Sequence, residues 1–362
     1  MNKVIPTSIF KVNYKRQTDA AWTDITDMVA TYSGFQHNLN QTSIVTLTIN
    51  NLSWAQSVRF RPGDKIQLYA GYDAVYPDAI IEGVVAQKGV NPQRDSLTLM
   101  VVDYLSELAI SPVFKTSGTS MTLNGSEGSC AIQSLVTYDE SNLTYLGPAP
   151  DKIYALAPEN GFDYSPGYRL NAINAIIGLM FQTDYTSFDI PKQMFFWQEN
   201  VDTAGTNVPY FKLQQEPDTE TAVATAVIDG TVNGLISSRT GNFELYNEIK
   251  LKGQPNIRIY DEHSQNMYGM QPTIIDRKHD LLLDDYHRGY AILWMSNQPN
   301  VTLQIKVIDW MKYHLLQVVT VQNMNDDIMN GTHVITGISG NPGSGIISLA
   351  KRITTIDKFI SN

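Results

Sequence analysis

Several groups of residues in this 362-residue chain have types that could do chemistry, but none has the spacing the chemistry requires. Gly337-Ile338-Ser339-Gly340-Asn341 comes nearest to a nucleophile elbow, in which a serine on a strand-to-helix turn attacks a carbonyl. It lacks the second glycine, and its neighbours read as a β-hairpin. Gly340, Gly343 and Gly345 could cradle a phosphate, yet no Lys-Ser/Thr pair follows and no helix starts there, so they read as a turn. The six histidines (His37, His263, His279, His287, His314, His333) are scattered, and His279 and His287 lie too far apart to share a metal without a third ligand. They read as structural or surface residues. Asp284-Asp285, Asp326-Asp327 and Asp73 with Asp78 could form a glycosidase pair. Adjacent residues diverge on a strand or a helix, so solvated charge is the simpler reading. Asn323, Asn325, Asp326 and Asp327 offer oxygens to calcium without the Asp-X-Asp-X-Asp-Gly spacing. The single cysteine, Cys130, excludes an internal disulfide and a thiolate-rich zinc site. We therefore assign no catalytic, cofactor-binding or metal residue and expect no cofactor and no enzyme activity.

Composition narrows the class further. Charged residues are 17% of the chain against a usual ~25%, while hydrophobic residues are 43%. Low charge with many Thr, Asn, Gln and Tyr suits a β-rich protein largely covered by neighbours. A net charge of −10 excludes a binder held to nucleic acid by phosphate contacts. The basic clusters Lys11…Lys15-Arg16 and Arg277-Lys278 read as solvated faces. No apolar run after Met1 suits a signal peptide, and none approaches the ~18 residues of a membrane span. The expectation is a product made in the cytoplasm.

The elements that would position any site are mostly strands. Residues 1–110 alternate apolar and semi-polar side chains, with turns at Phe60-Arg61-Pro62-Gly63-Asp64 and Asn91-Pro92-Gln93-Arg94-Asp95, and end in a short helical turn at Tyr104–Ile110. Residues 111–212 change texture and form a middle, peripheral region. Its helix near 166–182 has Ser165 as N-cap, Pro166 in the first turn and a stripe of Leu170, Ile173, Ile177, Met180 and Phe181. Lys192–Trp197 reads as an extended, aromatic-rich loop. Residues 213–255 read as a small α/β element, with a helix from Asp218 towards Asp229 and a strand at Phe243–Tyr246. Residues 256–362 hold a helix near 279–295, interrupted by Gly289, and a second β-unit whose last hairpin is Asn341–Gly345.

Two of these segments repeat one another. Val45-Thr46-Leu47-Thr48-Ile49 returns as Val301-Thr302-Leu303-Gln304-Ile305. Lys65–Tyr69, Ala79–Val85 and Ser96–Val102 follow the first copy; Leu316–Val321, His333–Ile338 and Ile346–Leu349 follow the second. The fold class is mainly β with α+β insertions: two similar tube-type antiparallel β-barrel domains separated by a mixed middle region.

Ile25-Thr26-Asp27-Met28-Val29, the strand at Val45–Ile49, the run Phe60–Tyr72 through Pro62-Gly63-Asp64, and Glu82-Gly83-Val84-Val85 together resemble the first tube domain of phage baseplate hub proteins. These are the late-control D-type hubs of contractile tails, related to the N-terminal part of type VI secretion spike proteins. Leu315–Val321, Gly331–Ile338 and Ile346–Arg352 are similar to the second tube domain's last strands, and Asn233–Leu245 to the segment before it. The resemblance covers about half the chain, at its two ends; the second unit lacks Pro-Gly-Asp, with Tyr313-His314-Leu315 in its place. It implies a homotrimer whose six barrels form a pseudo-hexameric ring, a symmetry adaptor between a tail tube protein and a central spike protein. Peripheral baseplate proteins would contact the middle region, and DNA would cross the channel without specific binding, past carboxylates of an acidic lining. The implied location is the virion tail tip, assembled in host cytoplasm. Inter-subunit and tube contacts are unassigned. A tail-associated carbohydrate-binding protein using Trp54, Trp197 or Trp294 is the alternative, and a cell-wall hydrolase a further one.

Overall fold

The structure, a computed structural model, describes residues 8–353 apart from 52–54, 73–77, 114–120, 124–131, 138–143, 147–161, 165–166, 183–192, 204–205, 242–244, 277–281 and positions 92, 94, 134, 218, 220 and 298. The first unit comprises β1 (Ser8–Lys15), β2 (Val29–Asn38), β3 (Ile44–Asn50), β4 (Lys65–Tyr72), β5 (Ala79–Asn91) and β6 (Ser96–Asp103), followed by α1 (Leu105–Ile110). The middle region contributes α2 (Arg169–Gln182) and the hairpin β7 (Met194–Thr203) with β8 (Thr206–Gln215). Then come β9 (Ala226–Asp229), β10 (Gly234–Gly241), β11 (Glu248–Leu251), β12 (Gln254–Tyr260), α3 (Glu262–Tyr268), β13 (Pro272–Ile275) and α4 (Leu282–Ser296). The second unit ends the chain with β14 (Asn300–Val307), β15 (Val318–Gln322), β16 (Gly331–Asn341) and β17 (Ser344–Ala350).

Period-two alternation explains both units. Val45, Leu47 and Ile49 of β3, and Val301, Leu303 and Ile305 of β14, are all at most 1% exposed, while the threonines and glutamine between them face away from the core. The fold is mainly β, and the expected strands form, although β15 begins at Val318 rather than Leu316. The two units are separated in sequence but not in space. One curled 13-stranded sheet runs β10-β14-β17-β16-β2-β3-β6-β5-β4-β1 and on to Thr23–Asp24, with β15 on β16 and β9 on β15. Neither unit closes on itself, and one hydrophobic core contains Val12, Leu47 and Leu99 together with Leu303, Val334 and Leu349.

The repeat extends to backbone detail. Gly63 (φ 89°) sits two residues before β4, and Leu316 (φ 58°) two residues before β15. Gly63 N–H donates to Val85 O and Leu316 N–H to Ile335 O, while Val85 N–H donates to Asp64 O and Ile335 N–H to Gln317 O. The Asp64 carboxylate accepts from Arg61 N–H, and the Gln317 amide oxygen accepts from His314 N–H. The second unit therefore keeps the left-handed turn without Pro-Gly-Asp, at a cost of about 1–2 kcal/mol for placing leucine there.

Four expectations are corrected. No helix runs from Asp218 to Asp229: Ala226–Asp229 is a strand lying parallel on β15, with Ile228 buried and Val227 exposed. The tertiary ladder overrides the strong helix propensity of Ala there, while Val favours the strand. The described part of 213–255 is consequently strands and turns, and the strand expected at Phe243–Tyr246 starts at Glu248 instead, with 243 and 244 outside the described residues. The helix near 166–182 starts at Arg169, because Gly167–Tyr168 pairs with Pro112–Val113; Ser165 and Pro166 lie outside the described residues. Finally, in the stretch expected as a loop, Lys192 lies outside the described residues, while Met194–Trp197 belong to β7. Its alternation sends Phe195 and Trp197 into the main core and Met194 and Phe196 into a smaller one with Leu105, Ile132 and Ile173.

A third core lies beneath the sheet β12-β11-β13, where Ile249, Ile259 and Ile275 meet α4. Gly289, inside that helix, is there for contact: a Cβ would stand 2.5 Å from Ile259 Cδ1. The helix expected near 279–295 is thus present as Leu282–Ser296, with His279 outside the described residues.

Candidate functional site

The most built feature is the seam that joins the units. β2 pairs with β3 along its first part and with β16 at its end, in the register Phe35↔Gly340, Gln36↔Ser339, His37↔Ile338 and Asn38↔Gly337. Asn341 at the end of β16 accepts Gly34 N–H across the seam at 2.8 Å, and Leu39 N–H donates to Thr336 O. Phe35 stacks on Trp310 with ring centroids 5.2 Å apart. Trp310 in turn lies flat against bare backbone, since a Cβ on Gly340 or Gly345 would come within 2.3 Å of its ring. Its indole N–H donates to Asn341 O.

A cleft of about 60 Å³ opens beside the seam, lined by Phe35, His37, Asp78, Glu199, Trp310 and His314 among others. Burial alone would raise the Glu199 carboxyl, but hydrogen bonds from His314 and Lys212 hold it down at about 2. Lys212 Nζ is 2.6 Å and His314 Nδ1 3.5 Å from Glu199. Burial pushes His37 down to about 4, against the pull of Glu199, and it pairs with Ser43 Oγ at 2.7 Å. A serine beside a neutral imidazole invites a nucleophilic reading. Ser43 is only 3% exposed, however, and Asp103 accepts from the Ser43 backbone rather than orienting the imidazole, so a substrate carbonyl has no approach. Asp103, fully enclosed, is raised by burial to about 7 despite N–H donors from Ser43 and Leu105. The arrangement fixes the corner between β2, β6 and α1.

The hairpin β7–β8 is locked to the first unit through buried Glu82. Its carboxylate accepts from Gln67 (2.7 Å), Asn207 (2.6 Å) and the Tyr104 hydroxyl, while Gln198 donates to Glu82 O and accepts Tyr104 N–H. Burial raises the Glu82 pKa, and these donors oppose the rise.

The residues singled out from sequence do not converge on a reaction centre. Ser339 lies within β16, paired on both sides, rather than on a strand-to-helix turn. Gly343 (φ 85°) forms the hairpin turn, and Gly340 and Gly345 face Trp310. Asp326 caps a helical turn by accepting Ile328 N–H, Asp78 accepts Asp202 N–H, and Asn323 donates to Asp229. Among the described residues no three His, Cys, Asp or Glu could hold a metal. Trp197 is buried and Trp294 lies under the Arg352 guanidinium, so neither is an open sugar platform; Trp54, Asp73 and Cys130 lie outside the described residues. Sequence reasoning missed the grouping of His37, Glu199 and His314. The three lie far apart in the chain, and no local spacing marks them.

No protein-family profile and no curated protein sequence matches the chain. Solved structures do. A prophage tail protein, gp18, from Listeria monocytogenes superposes with a TM-score of 0.57 at 11% identity, covering 97% of both chains. The 43 kDa tail protein of prophage MuSo2 from Shewanella oneidensis gives 0.54 at 12% identity, covering 97% of this chain and 99% of that one. The Escherichia coli c3393 protein, a type VI secretion component described as similar to the T4 tail proteins gp27 and gp5, gives 0.50 at 8%, over 90% and 74%. The chain has the fold of these phage tail proteins along nearly its whole length.

Proposed function

We propose that the chain is a structural baseplate hub of a phage tail, three copies of which close a ring of six similar units around the DNA channel. The ring joins a six-fold tail tube on one side to a three-fold central spike on the other. The observation that carries this reading is the tandem of two matching units in one continuous sheet, which makes three chains present six equivalents. The fold shared with tail proteins supports it. Peripheral baseplate proteins would meet the middle region and the β12-β11-β13 subdomain, and the virion tail tip is the expected location.

The expected acidic channel lining gives way, in this reading, to a mostly uncharged one without carboxylates. The exposed face of the joined strands carries Thr31, Ser33, Gln36, Thr302, Gln304 and Ser237 together with Arg239 and Lys306, and no carboxylate among those positions. Hydroxyls and amides neither hold nor strongly repel a polyanion, and two cations per chain add only a weak, salt-dependent attraction. Mass in solution followed by electron-microscopy class averages tests the proposal. A three-chain ring with six lobes is expected; a chain that stays monomeric with tube and spike proteins added overturns it.

A further inference from the structure

β5 and β16 are equivalent strands with different neighbours. β16 has β15 against Gly331–Val334 and β2 against Gly337–Gly340 on the same edge. β5 has β4 against Ala79–Val84, but on that edge no described strand lies against Gln87–Asn91, whose other edge is paired with β6. The counterpart of β2 is β10, which pairs with β14 on one edge and with no described strand on the other; residues 234–240 are all exposed. The two surfaces that make the seam therefore recur, unpaired, at opposite ends of the eight-strand run β10-β14-β17-β16-β2-β3-β6-β5.

Ladder irregularities fix how the copies align. The break between Val85 and Gln87 matches that between Ile335 and Gly337, so Gly89, Val90 and Asn91 correspond to Ser339, Gly340 and Asn341. The break between Val29 and Thr31 matches that between Leu235 and Ser237. Gln36 lies opposite Ile44 as Gly241 lies opposite Asn300, which places Thr240 where Phe35 stands.

The chemistry of the open β5 edge agrees. Natural sheets guard open edges with outward charge or proline. On the open stretch of β5, Gln87, Gly89, Val90 and Asn91 are uncharged, and the one lysine, Lys88, is tied back onto Ser57 O and Phe60 O. Asn91 is exposed, at the position from which Asn341 reaches Gly34 N–H.

We infer that a second copy of this chain supplies the missing strand, with Arg239–Gly241 of β10 pairing antiparallel to Gly89–Asn91 of β5 in the next copy. The joint between chains repeats the joint within the chain. This rests on the ring reading above and names the strands and register that close it. A head-to-tail contact of this kind closes a ring when its rotation divides the circle.

Disulfide trapping tests the register in the full chain, in a Cys130→Ser background. Val90→Cys with Thr240→Cys is expected to give covalent oligomers under mild oxidation, ending in a closed species. Val58→Cys with Thr240→Cys, placing one thiol on a different exposed loop, is expected to give none. Asn91→Ala should weaken self-association about fivefold per joint, the effect of one neutral hydrogen bond, with thermal unfolding of the free chain unchanged. A ring that forms without the Val90–Thr240 link, or that links through Val58 instead, overturns the joint and leaves the hub reading standing. A chain that shows no oligomer by mass at any concentration overturns both.

Discussion

His333 is fully buried on β16, and burial pushes its imidazole down to about 4, against an opposing hydrogen bond with Gly331 O. The folded protein thus keeps it neutral where the unfolded chain would charge it. Its contribution is complete above pH 6.5 and is lost as pH falls from there towards 4, by an amount of order 2–3 kcal/mol. Asp103 works in the opposite sense. Its carboxyl is raised from 3.8 to about 7, so the folded state binds a proton more readily and this group's contribution falls as pH rises between those values. Because the Asp103 effect is common to both proteins, the slope of the urea midpoint against pH from 4 to 7 should be more positive in the native chain than in His333→Gln; an identical slope would contradict the assignment. None of this was legible in the sequence. His37, Glu199 and His314 lie far apart in the chain, and the histidines carry no local spacing that marks burial.

At the scale of elements, alternation made the strands of both units readable, because a core on one face imposes period two on each strand. Where several orders of structure compete, the reading failed. Residues 218–229 carry helix-compatible alanines, yet the free edge of β15 captures Ala226–Asp229 as a parallel strand. Gly289 read as a helix weakness and proves to be a contact with Ile259. The glycines of the last hairpin read as turn formers, which explains Gly343 but not Gly340 and Gly345, whose missing side chains make room for Trp310. Gly345→Ala should therefore cost about 1–3 kcal/mol by overpacking, and more than Gly343→Ala would from its left-handed turn alone. Chemical denaturation of both variants checks this; equal losses would mean that the ring yields.

Considered whole, the molecule joins its two units as halves of a single sheet and core. The repeat showed that equivalent units exist, but their edge-to-edge union depends on residues too distant for any local pattern to report. A chain ending before Asn300 would leave the ends of β2 and Phe35 without β16 and Trp310. Residues 8–110 are then expected to lose native structure, read by far-ultraviolet circular dichroism and limited proteolysis. A protease-resistant first unit would show instead that it folds alone.

The hydrogen bond from Gly34 to Asn341 closes a loop of 307 residues. During synthesis at about 5–20 residues per second, Gly34 waits roughly 15 to 60 s for its partner to leave the ribosome. Contacts of such long range form late and slowly. The seam is consequently a timer: β2 keeps an open edge until the last strands of the same molecule have been made.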